Sequence, residues 1–94
     1  MTQIIGTALV NEVITETRAG VAVTAGVLRR GGYVRVVRDG VVVHGPAPLH
    51  RTKRFKNEVN EVRAGQEAGI KIIGYEEQVG DVIEMLAGIE VKAA

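Results

Sequence analysis

Tyr33-Val34-Arg35-Val36-Val37-Arg38-Asp39-Gly40-Val41-Val42-Val43-His44 decides how this 94-residue chain is to be read. Two valine-rich runs flank Asp39-Gly40, and Asp-Gly is a favoured two-residue type I′ hairpin turn because both central positions need positive φ. Alternation sets Val34 and Val36 on one face and Tyr33, Arg35 and Val37 on the other, and sends Arg35 and Arg38 to opposite faces. The surrounding chain has the same valine, isoleucine, threonine and glycine bias, which favours strands and turns over helices.

On the N-terminal side, Thr7 to Thr15 reads as a strand with Ala8, Val10 and Glu12 on one face and Leu9, Asn11 and Val13 on the other. Ala19-Gly20 permits a sharp bend, Val21, Val23 and the following Thr24-Ala25-Gly26 read as a short second strand running into a turn, and Val27-Leu28 resumes apolar character before the turn at Arg29-Arg30-Gly31-Gly32. On the C-terminal side, Gly45-Pro46-Ala47-Pro48 is expected to break pairing, since proline cannot donate to a ladder. A strand from Leu49 to about Phe55 follows. Val59 and Val62, three apart, suggest one helical or 3₁₀ turn within Asn57 to Arg63, stopped at Gly65. Ala68 to Ile73 is a strand with Lys71 on its polar side, and Val82 to Val91 is the last, with Gly88 bulging or ending it. Six to seven short strands predict an all-β fold, a small closed antiparallel β-barrel or a sandwich. Closure is preferred because it removes valine-rich edges. Residues 1–94 make a single domain, with 87–94 as a C-terminal tail.

The formal net charge is only +1, so any attraction for a polyanion has to come from a local patch. With no cysteine and no serine in the chain, thiolate and serine nucleophiles are excluded and an enzyme is not expected. His44 and His50 lack a cysteine or carboxylate set at metal spacing, so neither a metal nor a cofactor is expected. Gly31-Gly32 is a turn and not a phosphate loop, because no Gly-Lys-Ser/Thr follows. Glu76-Glu77 and Asp81 flank a turn and are expected to be solvated; Arg29, Arg30, Arg35 and Arg38 read as exposed hairpin charges. No apolar stretch approaches the ~20 residues of a membrane span. No targeting segment is visible, and the expected setting is soluble and cytoplasmic.

Chemistry concentrates between His50 and Gly69. Arg51, Lys53, Arg54 and Lys56 are four of the twelve cationic residues, and Phe55 among them is one of three aromatics. Cations around a flat ring suit a ligand carrying phosphates and bases. A solvated basic strand is the plainer account, and an isolated aromatic more often packs inside than serves as a platform. Glu67 has a similarly plain role open to it, a surface pair with Lys71 or Arg63.

Gly32 to Val43, Lys53-Arg54-Phe55-Lys56-Asn57-Glu58-Val59-Asn60-Glu61-Val62, Glu67-Ala68-Gly69-Ile70 and Gly80-Asp81-Val82-Ile83-Glu84 together resemble the C-terminal barrel domain of bacterial translation initiation factor 2. The resemblance runs from Ile5 to about Leu86. It implies a barrel similar to domain 2 of elongation factor Tu, holding the formyl-methionyl acceptor end of initiator tRNA as part of a larger, ribosome-bound factor. Carried over by position, the ligand contacts fall on Lys53, Arg54, Phe55, Lys56, Glu67 and Gly69, with Gly20, Val21 and Ala68 as candidate pocket residues. The family pattern has cysteine where this chain has Val21 and Ala68, Ser-Leu where it has Arg51-Thr52, and a longer loop around Glu16 to Arg18.

For such a ligand, Lys53, Arg54 and Lys56 would neutralise phosphates, Phe55 would stack on the terminal adenine or methionine, and backbone N–H groups near Gly69 would donate to a carbonyl. An apolar pocket would reject an unformylated ammonium, whose unpaired burial costs several kcal/mol. Two rivals stand beside this reading. One is a minimised, redesigned or diverged barrel scaffold that has lost the ligand; the other is a less selective binder of single-stranded RNA.

Overall fold

The computed structural model describes residues 3–15 and 18–87, and all its regular structure is strand. In chain order these are β1 (Gln3–Thr15), β2 (Arg18–Arg29), β3 (Tyr33–Arg38), β4 (Val41–Arg54), β5 (Asn57–Glu58), β6 (Glu61–Arg63), β7 (Glu67–Ile72) and β8 (Val82–Ala87). Six of them form the order β1-β8-β3-β4-β7-β2, and pairing of β2 back onto β1 closes the ring. Every pairing is antiparallel; β5 lies outside the ring on β4 and β6 on β2. Closure leaves no valine-rich edge in the ring itself.

Period-2 burial builds the interior. Val34 and Val36 of β3 are fully buried, Ala68, Ile70 and Ile72 of β7 are buried beside them, and they meet Leu28, Leu49, Ile83 and Met85 in one core. Asp39-Gly40 makes the expected turn, with φ of 52° and 78°. The long strands bend around the ring through bulges, and β1 slips register against β2 at three places. One slip has a local consequence. Val10 faces Val21 and Glu12 faces Gly20, so Asn11 is the extra residue and the parity of β1 reverses after it. Glu12, placed by simple alternation with Ala8 and Val10, therefore lies on the outer surface and is exposed.

Other expectations also give way to tertiary pairing. Ala19-Gly20 does not bend the chain, since both lie inside β2 with partners on β1 and β7, and Thr24 to Gly26 make no turn, because Ala25 and Gly26 pair with Thr7 and Gly6 and β2 runs on to Arg29. Gly45 to Pro48 does not end β4, because Gly45 takes φ of 107° at a register slip opposite Val34–Val36. Pro46 then has no facing residue, while Ala47 and Pro48 resume pairing with Val34 and Tyr33. Asn57 to Arg63 forms no helical turn. The Val59 amide donates to the Thr52 carbonyl, the Thr52 hydroxyl donates to the Val59 carbonyl, and Val62 is buried opposite Leu28, so the segment is drawn out into β5 and β6. The last strand is described only to Ala87; the expected continuation to Val91 and the tail to 94 lie outside the described residues.

Two carboxylates expected in solvent are buried instead. Asp81, fully buried, accepts from Arg38 Nε at 2.8 Å and Nη2 at 3.2 Å, from the Tyr75 hydroxyl at 2.8 Å and from the Gln78 amide at 3.0 Å. Burial alone would raise the Asp81 pKa, but donation from Arg38, Gln78 and Tyr75 outweighs it and holds the carboxyl below its ordinary value. Burial, reinforced by the bond to Asp81, pushes the Tyr75 phenol up to about 12. Glu77 accepts from the Ile72 amide at 3.1 Å, and burial pushes its pKa up. Arg38, partly exposed, is thus tied as a strut across the barrel end, and Arg35 pairs with Glu84 across β3 and β8. Glu76 is exposed as expected.

Candidate nucleic-acid interface

A row of four residues crosses neighbouring strands on the outer surface: Lys53 of β4 faces Gly69 of β7, Gly69 faces Gly20 of β2, and Gly20 faces Glu12 of β1. The middle of the row carries no side chain, so exposed backbone floors a trough between a cation and a carboxylate. This trough belongs to a cleft of about 510 Å³ that Arg18, Arg54, Phe55, Gln66 and Glu67 also line.

The two floor glycines differ from those the fold requires. A Cβ at Gly6 or Gly26 would lie 2.0 Å from a backbone carbonyl oxygen. At Gly20 the nearest atom would be Glu12 Cβ at 3.6 Å, and at Gly69 it would be Arg18 Cδ at 3.4 Å, on a flexible stem. Neither has positive φ. The barrel would accept alanine at both, so the bareness of the floor has no origin in the fold itself.

At the rim, β4 and β5 are joined by the two-residue turn Phe55-Lys56, closed by the Arg54–Asn57 pair. Phe55 has φ of 59° and is 93 % exposed. An aromatic ring in the left-handed region and out in water is unfavourable on both counts. The Arg54 guanidinium carbon lies 5.6 Å from the ring centroid, and its Nε donates to the Glu67 carbonyl at 3.2 Å, which ties the rim to β7.

The cleft thus gathers Lys53, Arg54, Phe55, Glu67, Gly69, Gly20, Val21 and Ala68, while Lys56 is exposed in the same turn without lining it. Phe55 is a rim residue and not a core one. Val21 and Ala68 are buried core residues directly opposite each other, and they bound the cleft only from beneath. The two positions where the family pattern has cysteine are therefore one packed pair, in which a larger Val21 accompanies a smaller Ala68. We expect Ala68→Val to overpack against Val21 and lower stability by about 1–3 kcal/mol in denaturant titration. Glu12 and Arg18 escaped sequence reasoning, because only the register of β1, β2 and β7 brings them to the cleft. The cleft is apolar only in part: Ile14, Val21, Phe55 and Ala68 line it together with Arg18, Lys53, Arg54, Glu12 and Glu67.

No family model matches the chain. It is 54 % identical over 67 residues to translation initiation factor IF-2 of Parvibaculum lavamentivorans, covering 70 % of this chain and 7 % of that protein. Against the same factor of Phenylobacterium zucineum it is 51 % identical over 75 residues, covering 79 % and 8 %. Against that of Rhodospirillum rubrum it is 46 % identical over 94 residues, covering 95 % and 11 %. The chain spans at most 11 % of the length of these relatives.

Proposed function

We propose that this chain, homologous over most of its length to a domain-sized segment of translation initiation factor IF-2, is a binding module and not an enzyme. In this reading it holds the formyl-methionyl acceptor end of initiator tRNA in the Gly20–Gly69 trough, in the cytoplasm and as part of a factor that works on the ribosome. The observation that carries the reading is the bare floor: two facing glycines that the fold does not need, beside an exposed ring and three cations. A single-stranded 3′ end offers phosphates to Arg18, Lys53 and Arg54, a base or thioether to Phe55, and an acyl group that can lie close against the side-chain-free floor.

The carboxylates favour a second reading, a less selective binder of single-stranded RNA. Glu12 and Glu67 would attract a free α-ammonium, so desolvation alone does not exclude an unformylated methionine here. Selection for the formyl group then depends on how closely the ligand seats on the floor.

The Gly20→Ala/Gly69→Ala variant tests both readings. Replacing strain-free glycines raises stability by about 1–2 kcal/mol through the unfolded chain, so folding is not at risk. Formyl-methionyl-tRNA should bind the parent chain better than methionyl-tRNA, and the double alanine variant should lose that preference and bind at least tenfold more weakly, which is roughly 1.4 kcal/mol. Equal binding of both tRNAs by parent and variant would leave the general RNA binder. Absence of binding by the parent would leave a barrel scaffold.

A further inference from the structure

Beside the trough lies a second cleft of about 240 Å³, lined by Arg18, His50, Arg51, Lys53, Gly69, Ile70 and Lys71. It contains four cations, an imidazole and no carboxylate, in a protein whose net charge is +1. Arg18, Lys53 and Gly69 belong to both clefts. His50 and Arg51 carry the surface on into a third hollow that reaches Arg30 and also holds Glu58. Along β4, from Pro48 to Arg54, these hollows follow one another for roughly 20 Å.

The placement of charge within this stretch is unfavourable for the barrel alone. Arg51 and Lys71 face each other directly across β4 and β7, and like charges in that position destabilise a sheet. Glu58 lies 3.9 Å from Arg51, but it also serves Arg30 at 3.5 Å and stands outside the second cleft. Among the described residues no ion pair involves Arg18, Lys53 or Lys71. Three cations gathered beside Arg51 without ion pairs of their own among the described residues have a physical use when an anion supplies the missing charge.

We infer that the outer surface of β4 and β7 is a phosphate track, with Arg51 and Lys71 at its centre, along which the sugar-phosphate backbone of a single RNA strand runs after its terminal nucleotide enters the trough. The proposal rests on the trough reading for the strand's direction and adds a separate set of contacts. A duplex fits less well, since the hollows follow one strand of the sheet and Phe55 at their end can stack only an unpaired base.

The test is the Arg51→Gln/Lys71→Gln variant, titrated with a short single-stranded oligoribonucleotide carrying no amino acid and, separately, with formyl-methionyl-adenosine, which has no backbone phosphate. Removing the facing like charges should leave thermal stability unchanged or slightly higher. Affinity for the oligoribonucleotide should fall roughly tenfold at low salt, and the magnitude of the log K against log salt slope should drop by about 1.4, or about 0.7 for each lost phosphate contact. Binding of formyl-methionyl-adenosine should be unchanged. An oligoribonucleotide affinity and salt slope that survive the substitution overturn the track, and equal affinity for duplex and single strand overturns its single-stranded character. If formyl-methionyl-adenosine binds nothing while the oligoribonucleotide loses its slope, the trough reading fails and the track stands.

Discussion

Asp81→Ala should lower stability by about 3 kcal/mol, the largest single-residue effect we expect in the barrel. The carboxylate is fully buried and accepts four hydrogen bonds, from Arg38, Tyr75 and the Gln78 amide. Breaking a buried pair costs about 3–5 kcal/mol when the surviving partner is left uncompensated. The lower end applies because the Arg38 side chain is 36 % exposed and regains water. At roughly 4–8 °C per kcal/mol for a domain of this size, the melting temperature should fall by roughly 15 °C. The pH dependence has a definite sign. The folded carboxyl titrates below its unfolded value, so its contribution is present above the unfolded pKa and disappears as pH falls through the folded one. Glu77 acts in the opposite sense: its raised pKa gives stability that is present below the unfolded value and lost as pH rises through the folded one. Mild acidification should therefore be tolerated until Asp81 protonates. Thermal melts from neutral to acid pH should show the acid limb in the parent and a flatter one in Asp81→Ala; an equally steep limb in both would remove Asp81 from this role.

What was legible in the sequence is what depends on neighbours along the chain. The Asp39-Gly40 turn and the alternation at Val34 and Val36 follow from local geometry, and all-β closure follows from many such runs. The basic run and the Glu67-Ala68-Gly69 motif also lay in view, each within a few residues. Features that depend on register were hidden. The bulge at Asn11 reverses the face of Glu12, and no local pattern marks it. Arg38, Tyr75 and Asp81 are spread over more than forty positions, so two charges that read as solvated turn out to be one network around a buried carboxylate. β5 and β6 form because Thr52, Val59 and Leu28 hold them, against the local spacing of Val59 and Val62. The candidate residues fall on the same divide: Lys53-Arg54 and Glu67-Ala68-Gly69 lie within short local motifs, whereas the Arg51–Lys71 opposition exists only in the folded sheet.

Phe55→Gly should move stability and binding in opposite directions. Phe55 is the first residue of a two-residue hairpin loop and holds φ of 59°, a conformation that favours glycine at that position. Such a non-glycine residue stores about 1–3 kcal/mol of strain. With the ring 93 % exposed, its loss sacrifices little burial. Against the relief stand the Arg54 cation–π contact, about 0.5–1 kcal/mol at an exposed site, and the added chain entropy of glycine, about 0.5–1 kcal/mol. At mid-values of these terms the net change should be a gain of about 0.5 kcal/mol, read as a slightly higher midpoint in urea. Affinity for a single-stranded 3′ end should meanwhile fall ten- to a hundredfold, since base–aromatic stacking contributes about 1–3 kcal/mol. Phe55→Ala separates the two terms, because it removes the ring while keeping a Cβ in the left-handed region: binding should fall as far, without the gain in stability. If Phe55→Gly bound as well as the parent, the ring would have no part in the ligand, and its strained, exposed position would be left without a functional cause.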